Sequence, residues 1–94
     1  MAILMIHDAS EDELARYDQV VAQLEAAGHG HPPGRRFHVA ARKGTGYLVT
    51  DVWESQEAFD RFFQILEPLL QQVGSGPEQP SVQILPVHNV IEGA

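Results

Sequence analysis

Asp51 and Trp53, two residues apart, set the chemical possibilities of this 94-residue chain. Alternation along an extended segment puts both on one face, together with Tyr47 and Val49. A carboxylate and an indole on one surface suit a ligand site, because the ring can stack on an aromatic molecule while the carboxylate takes or holds a proton. Each also has an ordinary structural reading. Trp53 can serve as a large core side chain at a subunit interface, and Asp51 can pair with Arg42 or Arg36 from a neighbouring strand. His38 shares a face of its own segment with Ala40 and Arg42, opposite Phe37, Val39 and Ala41. His29 and His31 stand in a Gly-Pro loop at a spacing that a metal could bridge, but no third ligand is close by, and no metal site is expected. The absence of cysteine removes thiol nucleophiles, thiolate metal sites and disulfides together. Gly44 and Gly46 precede no Lys-Ser or Lys-Thr pair opening a helix, so they form no phosphate loop.

The elements that must position these groups are legible in the spacing. Residues 47–53 alternate as a strand and run directly into a helix, for which Ser55 is the N-cap and Glu57 places a negative charge in the first turn. Phe59, Phe62, Phe63 and Leu66 then recur at intervals of three and four, giving a wide apolar stripe. Pro68 predicts a kink or break in that helix, which otherwise extends from about 56 to 73. Earlier, residues 2–7 form an apolar run read as a buried strand. Ser10 and Glu13 make a capping box, and Leu14, Tyr17, Val21 and Leu24 trace a helix that Gly28 terminates. Residues 28–36 read as a loop, 37–42 as a second strand, and 43–46 as a hairpin loop joining two antiparallel strands. Residues 74–81 form a further loop, and 82–91 a last extended segment in which Pro86 demands a peripheral or interrupted strand.

The order is βαββαβ over a single domain, residues 1–94. It points to an α+β, ferredoxin-like fold: a four-stranded antiparallel sheet with two helices on one face. Neither face of strand 47–53 is polar, and two helices cover only one. Two sheets are therefore expected to meet face to face in a homodimer, with a cavity formed between them. A formal charge of -7 repels phosphate backbones, so nucleic acid is not an expected partner. No run reaches transmembrane length and residues 1–6 lack the flank of a signal peptide, so the expected location is cytoplasmic, with no membrane partner.

The segment 51–63, DVWESQEAFDRFF, carries a V-W-E-S-x-E-A-F pattern at a strand-to-helix junction. With the βαββαβ order, it resembles the dimeric α/β-barrel superfamily, and within it the antibiotic-biosynthesis-monooxygenase-like proteins. The His-Val-Ala strand at 38–40 and the Pro-Val-His-Asn at 86–89 are similar to one subgroup. The resemblance implies that the junction tryptophan lines an inner cavity. Trp53, Asp51 and Val49 would then point inside, while Leu48, Thr50, Val52, Phe37 and Val39 would lie against the helices. By the same alternation His38 would face inward, and His88 too if Leu85 and Val87 pack outward; on the first strand either face could line the cavity, and one of the two choices puts Ile3, Met5 and His7 inside.

That constellation suits proton exchange with a phenolic or enolic substrate. Asp51, His38 and His88 are the candidate catalytic residues, with Trp53, Val49, His7 and Phe59 as candidate substrate contacts. The quinone-forming relatives imply an asparagine where this chain has Val49 and a tyrosine near Phe59, so two polar hands are replaced by apolar ones. The haem-degrading relatives imply a histidine late in the second helix, and none occurs between Ser55 and Gly74. The expected protein is a homodimer that encloses a small aromatic or polyketide-like molecule between sheet and helices. Its chemistry would be oxygenation without a cofactor; the competing reading is a non-catalytic module that binds a metabolite or partner.

Overall fold

The computed structural model describes residues 1–9, 14–44, 46–72 and 82–93. The capping box at Ser10 and Glu13 and the loop over 74–81 lie outside them. The elements run β1 (Ile3–Ala9), α1 (Leu14–Ala26), β2 (Arg35–Lys43), β3 (Gly46–Trp53), α2 (Gln56–Gln72) and β4 (Val82–Pro86). The strands form one antiparallel sheet in the order β2-β3-β1-β4, the ferredoxin-like arrangement. β4 therefore lies on an edge, where Pro86 costs no ladder bond, and one further bond runs from Val87 N–H to the Ala2 carbonyl.

Helix ends follow their local signals. At α1 the His29 amide bonds to the Leu24 carbonyl at 2.7 Å and the Gly28 amide to that of Glu25 at 3.1 Å. This Schellman closure needs the left-handed φ of 83° that Gly28 supplies. At α2 the Ser55 hydroxyl accepts from the Ala58 amide at 3.1 Å, fixing the N-cap. α2 continues through Pro68 to Gln72 without a break.

Both helices cover one face of the sheet, and it is the face opposite to the one the resemblance implied for them. Tyr47, Val49, Asp51 and Trp53 are buried beneath the helices: Tyr17 of α1 meets Tyr47 at 5.1 Å, and Phe62 and Phe59 of α2 meet Trp53 at 5.3 and 5.7 Å between ring centroids. Ile3 and Met5 pair with Trp53 and Asp51 and share that burial. Leu48, Thr50 and Val52 point to the uncovered face with Leu4 and Ile6, beside the exposed Phe37, Val39 and Leu85. The aromatic stripe of α2 supplies the reason, since the largest strand residue, Trp53, packs where Phe59 and Phe62 can bury it completely. Among the described residues no helix is long and apolar enough to cross a membrane.

Candidate functional site

β2 and β3 place His38 directly opposite Asp51. On the helix side their side chains meet, with His38 Nδ1 2.6 Å from Asp51 Oδ1. The other carboxylate oxygen, Oδ2, accepts from the Trp53 indole N–H at 3.2 Å. Neither Arg42 nor Arg36 takes this role. A carboxylate so placed only accepts, so His38 carries its proton on Nδ1, and in the neutral ring Nε2 is left as an acceptor. Tyr17, one turn into α1, donates its hydroxyl to that Nε2 at 2.7 Å. The two rings lie nearly parallel, 6° apart with centroids at 6.0 Å. The result is a continuous chain, Tyr17–His38–Asp51–Trp53, that starts at a half-buried phenol and ends in the core.

Burial pushes the Tyr17 hydroxyl above the ordinary tyrosine range; the Arg35 charge pulls it down, while Asp51 and Asp18 push it further up. The net effect keeps the phenol protonated and able to donate.

A cavity of about 480 Å³ lies between the sheet and the two helices, within a single chain. The space anticipated between two facing sheets is thus not needed to make a pocket. His38, Asp51, His7, Val49 and Phe59 all line this cavity, as do Tyr17 and Tyr47. Trp53 does not line it. Fully buried against Phe59 and Phe62, the indole stands behind the wall and reaches the site through its bond to Asp51. His88 does not join the constellation either, because pairing ends just past Pro86 and the residue is exposed beyond β4. His29 and His31 meet no third ligand: among the described residues no group of three metal-binding side chains converges.

Two lining residues escaped the sequence reading. Tyr17 was visible only as part of the α1 apolar stripe. Arg35 is turned inward by an irregularity: Arg35 pairs with Trp53 and Phe37 with Val52, so Arg36 is an extra residue in β2. The bulge moves Arg35 onto the same face as His38, where its guanidinium lies 5.8 Å from the Phe62 ring centre. The turn before it is built by Pro32, Pro33 and Gly34, with the Arg35 amide bonded to the Pro32 carbonyl at 3.3 Å. Gly34 has φ of 90°, and its carbonyl accepts from the Glu54 amide at 2.8 Å, tying the turn to the β3–α2 junction.

No family model matches the sequence, and no curated protein does. Similarity appears in three dimensions. A conserved protein from Methanosarcina mazei Go1 superposes with a TM-score of 0.68 at 8% identity, covering 90% of this chain and 91% of its own. A mutant of SnoaB, a cofactor-independent oxygenase from Streptomyces nogalater, gives 0.58 at 16% identity over 98% and 95%. A heme-degrading protein from Mycobacterium tuberculosis gives 0.59 at 21% identity over 99% and 98%. Proteins of this shape are described as a cofactor-independent oxygenase and as antibiotic biosynthesis monooxygenases. The chain shares the fold of these structures, a four-stranded antiparallel sheet covered on one face by two helices.

Proposed function

We propose that this protein binds a small aromatic or polyketide-like molecule in the cavity between sheet and helices and oxygenates it without a cofactor. The observation that carries the reading is the Tyr17–His38–Asp51–Trp53 chain in the wall of a 480 Å³ cavity, large enough for a fused-ring ligand. In this mechanism the substrate is a phenol or anthrone-like compound with an acidic CH₂. The Tyr17 hydroxyl receives one proton from that carbon as it passes its own to His38 Nε2, while Asp51 stabilises the imidazolium. The carbanion passes an electron to O₂, and recombination of the two radicals forms a peroxide. The peroxide takes the proton back from His38 and then loses water with the second C–H proton. One oxygen atom ends in the new ketone and the other in water, so the four electrons lost by the carbon reduce one O₂. His7, Val49 and Phe59 form walls against which the rings pack. The name of one structural neighbour, a cofactor-independent oxygenase, adds support.

The test is oxygen consumption with anthrone-like and catechol-like substrates on the wild type and Asp51→Asn. Turnover that falls by about 10²-fold or more in the variant supports the mechanism. Equal rates remove Asp51 from it.

One observation favours a non-catalytic binding protein instead. The Trp53 ring is wholly buried and unavailable for stacking, and Tyr17 already occupies His38 Nε2. Tight ligand binding without oxygen uptake is the outcome that selects this second reading. In either case the protein works as a homodimer, joined through the uncovered sheet face. Leu85, Leu4, Val52 and Phe37 form an apolar row there across all four strands.

A further inference from the structure

The cationic groups of this acidic chain are not spread evenly. Lys and Arg number six against thirteen Asp and Glu, yet three of the six, Arg16, Arg35 and Arg36, border the cavity, and among the described residues Glu25 and Asp51 are the acidic ones beside them. Asp51 is already engaged by His38 and Trp53. Arg35 is held in place by a bond from Nη2 to the Gly30 carbonyl at 2.9 Å and by the Phe62 ring beneath it. Among the described residues no carboxylate pairs with it. A guanidinium has five N–H donors in a planar fork that matches a carboxylate, and among the described residues Gly30 takes up one of those of Arg35, which lines the cavity.

The geometry points to a ligand that carries a carboxylate, bound by Arg35, on the same ring system whose acidic hydrogen faces His38. This inference rests on the cavity being a ligand site, as proposed above, and names the class of ligand. Arg35 and His38 occupy neighbouring rows of the helix-side face, opposite Trp53 and Asp51. Same-face neighbours along a strand are about 7 Å apart, roughly the span from a carboxylate across a fused aromatic pair. The stacked guanidinium is preorganised, so the charge on the ligand is recognised with little further ordering.

The experiment compares two probes of equal shape, an anthraquinone carboxylate and the corresponding carboxamide, by quenching of the single tryptophan. In the wild type the carboxylate binds at least ~10-fold more tightly, and the advantage shrinks as salt is added. Arg35→Gln removes the advantage, weakening the carboxylate at least ~10-fold more than the carboxamide. Arg35→Lys, which keeps the charge and guards against misfolding of the first variant, retains part of it. Arg61→Gln, an equal charge loss on the exposed side of α2, leaves it intact. Equal wild-type affinities for the two probes, or an advantage that survives in Arg35→Gln, overturn the inference while the cavity stands as a ligand site. Failure of both probes to bind overturns the cavity reading and this inference with it.

Discussion

Trp53 and Asp51 lie two residues apart on β3 and are joined by the indole N–H to Oδ2 bond of 3.2 Å, so the most buried ring of the core also fixes the carboxylate of the cavity. One face of one strand therefore does two jobs. Trp53 anchors α2 through Phe59 and Phe62, and its polar edge stops the Asp51 side chain from rotating away from His38.

Trp53→Phe separates the two jobs. Phenylalanine keeps an aromatic ring against α2 but leaves Oδ2 of a buried carboxylate without its donor, along with a small void. The expected loss is about 2–4 kcal/mol of unfolding free energy. Urea unfolding followed by circular dichroism measures it. A loss below ~1 kcal/mol would mean that the indole N–H is not holding Asp51.

Asp51→Asn has a consequence beyond lost charge. Two N–H donors converge on this carboxylate, and an amide offers one oxygen and one NH₂. If the oxygen stays with Trp53, the amide donates to His38 Nδ1, and the imidazole must move its proton to Nε2. The bond with Tyr17 then reverses, and His38 no longer presents a base toward the cavity. Nitrogen NMR of the His38 ring should report the Nδ1–H tautomer in the wild type and the Nε2–H tautomer in the variant. The same tautomer in both would break the link between Asp51 and the basicity of His38.

The fold was readable because β3 alternates, α2 has a Ser55 cap and an aromatic stripe, and the element order admits few topologies. The grouping of Asp51 with His38 came from the resemblance at the strand-to-helix junction extended by alternation, while the residues alone left Arg42 and Arg36 as equal partners for Asp51. Which face the helices cover was not readable, because Leu48 and Val52 are as apolar as Val49 and only the contacts of Trp53 with Phe59 and Phe62 break the tie. Tyr17 was hidden because helical periodicity marks a phenol as one more apolar residue. Arg35 was hidden for a different reason: the extra residue at Arg36 reverses the parity of β2, and strict alternation puts Arg35 on the wrong side. His88 was misjudged by carrying the alternation of β4 past the point where pairing stops.

Gly34→Ala tests whether the turn before β2 sets the position of Arg35. A methyl group at Gly34 would come within 2.6 Å of the Ala58 Cβ, and φ of 90° is a conformation that alanine resists. The combined cost is about 2–4 kcal/mol, from left-handed strain plus displacement of the α2 N-terminus. Thermal unfolding should show the loss, and the folded variant should bind the anthraquinone carboxylate more weakly because the bulge moves with the turn.

Alkaline pH should weaken the fold through Tyr17. Its hydroxyl is raised by burial above the ordinary tyrosine value, so the folded protein keeps a proton that the unfolded chain releases first. The contribution is fully present below the unfolded value of about 10 and disappears as pH climbs through the raised folded value. Denaturant midpoints measured from neutral to strongly alkaline pH should fall more steeply for the wild type than for Tyr17→Phe. Parallel curves would show that Tyr17 ionises as freely in the fold as in the open chain.

The uncovered sheet face is the place to test assembly, and the helix-side orientation of Trp53 changes which residue should be altered. An aspartate at Trp53 would put a charge into the monomer core, so loss of association in that variant would say nothing about an interface. Val39, opposite Thr50, is 56% exposed and Val52, opposite Phe37, is half-buried, both on the uncovered face, so a charge at either can reach solvent in the single chain. In a face-to-face dimer the same charge would be buried without a partner, at a cost of several kcal/mol. Sedimentation at micromolar concentration should give twice the chain mass for the wild type and the single-chain mass for Val39→Asp and Val52→Asp, with circular dichroism unchanged. Since the cavity is lined by one chain's own sheet and helices, these variants should still bind the anthraquinone carboxylate; loss of binding on dissociation would mean that the partner completes the site.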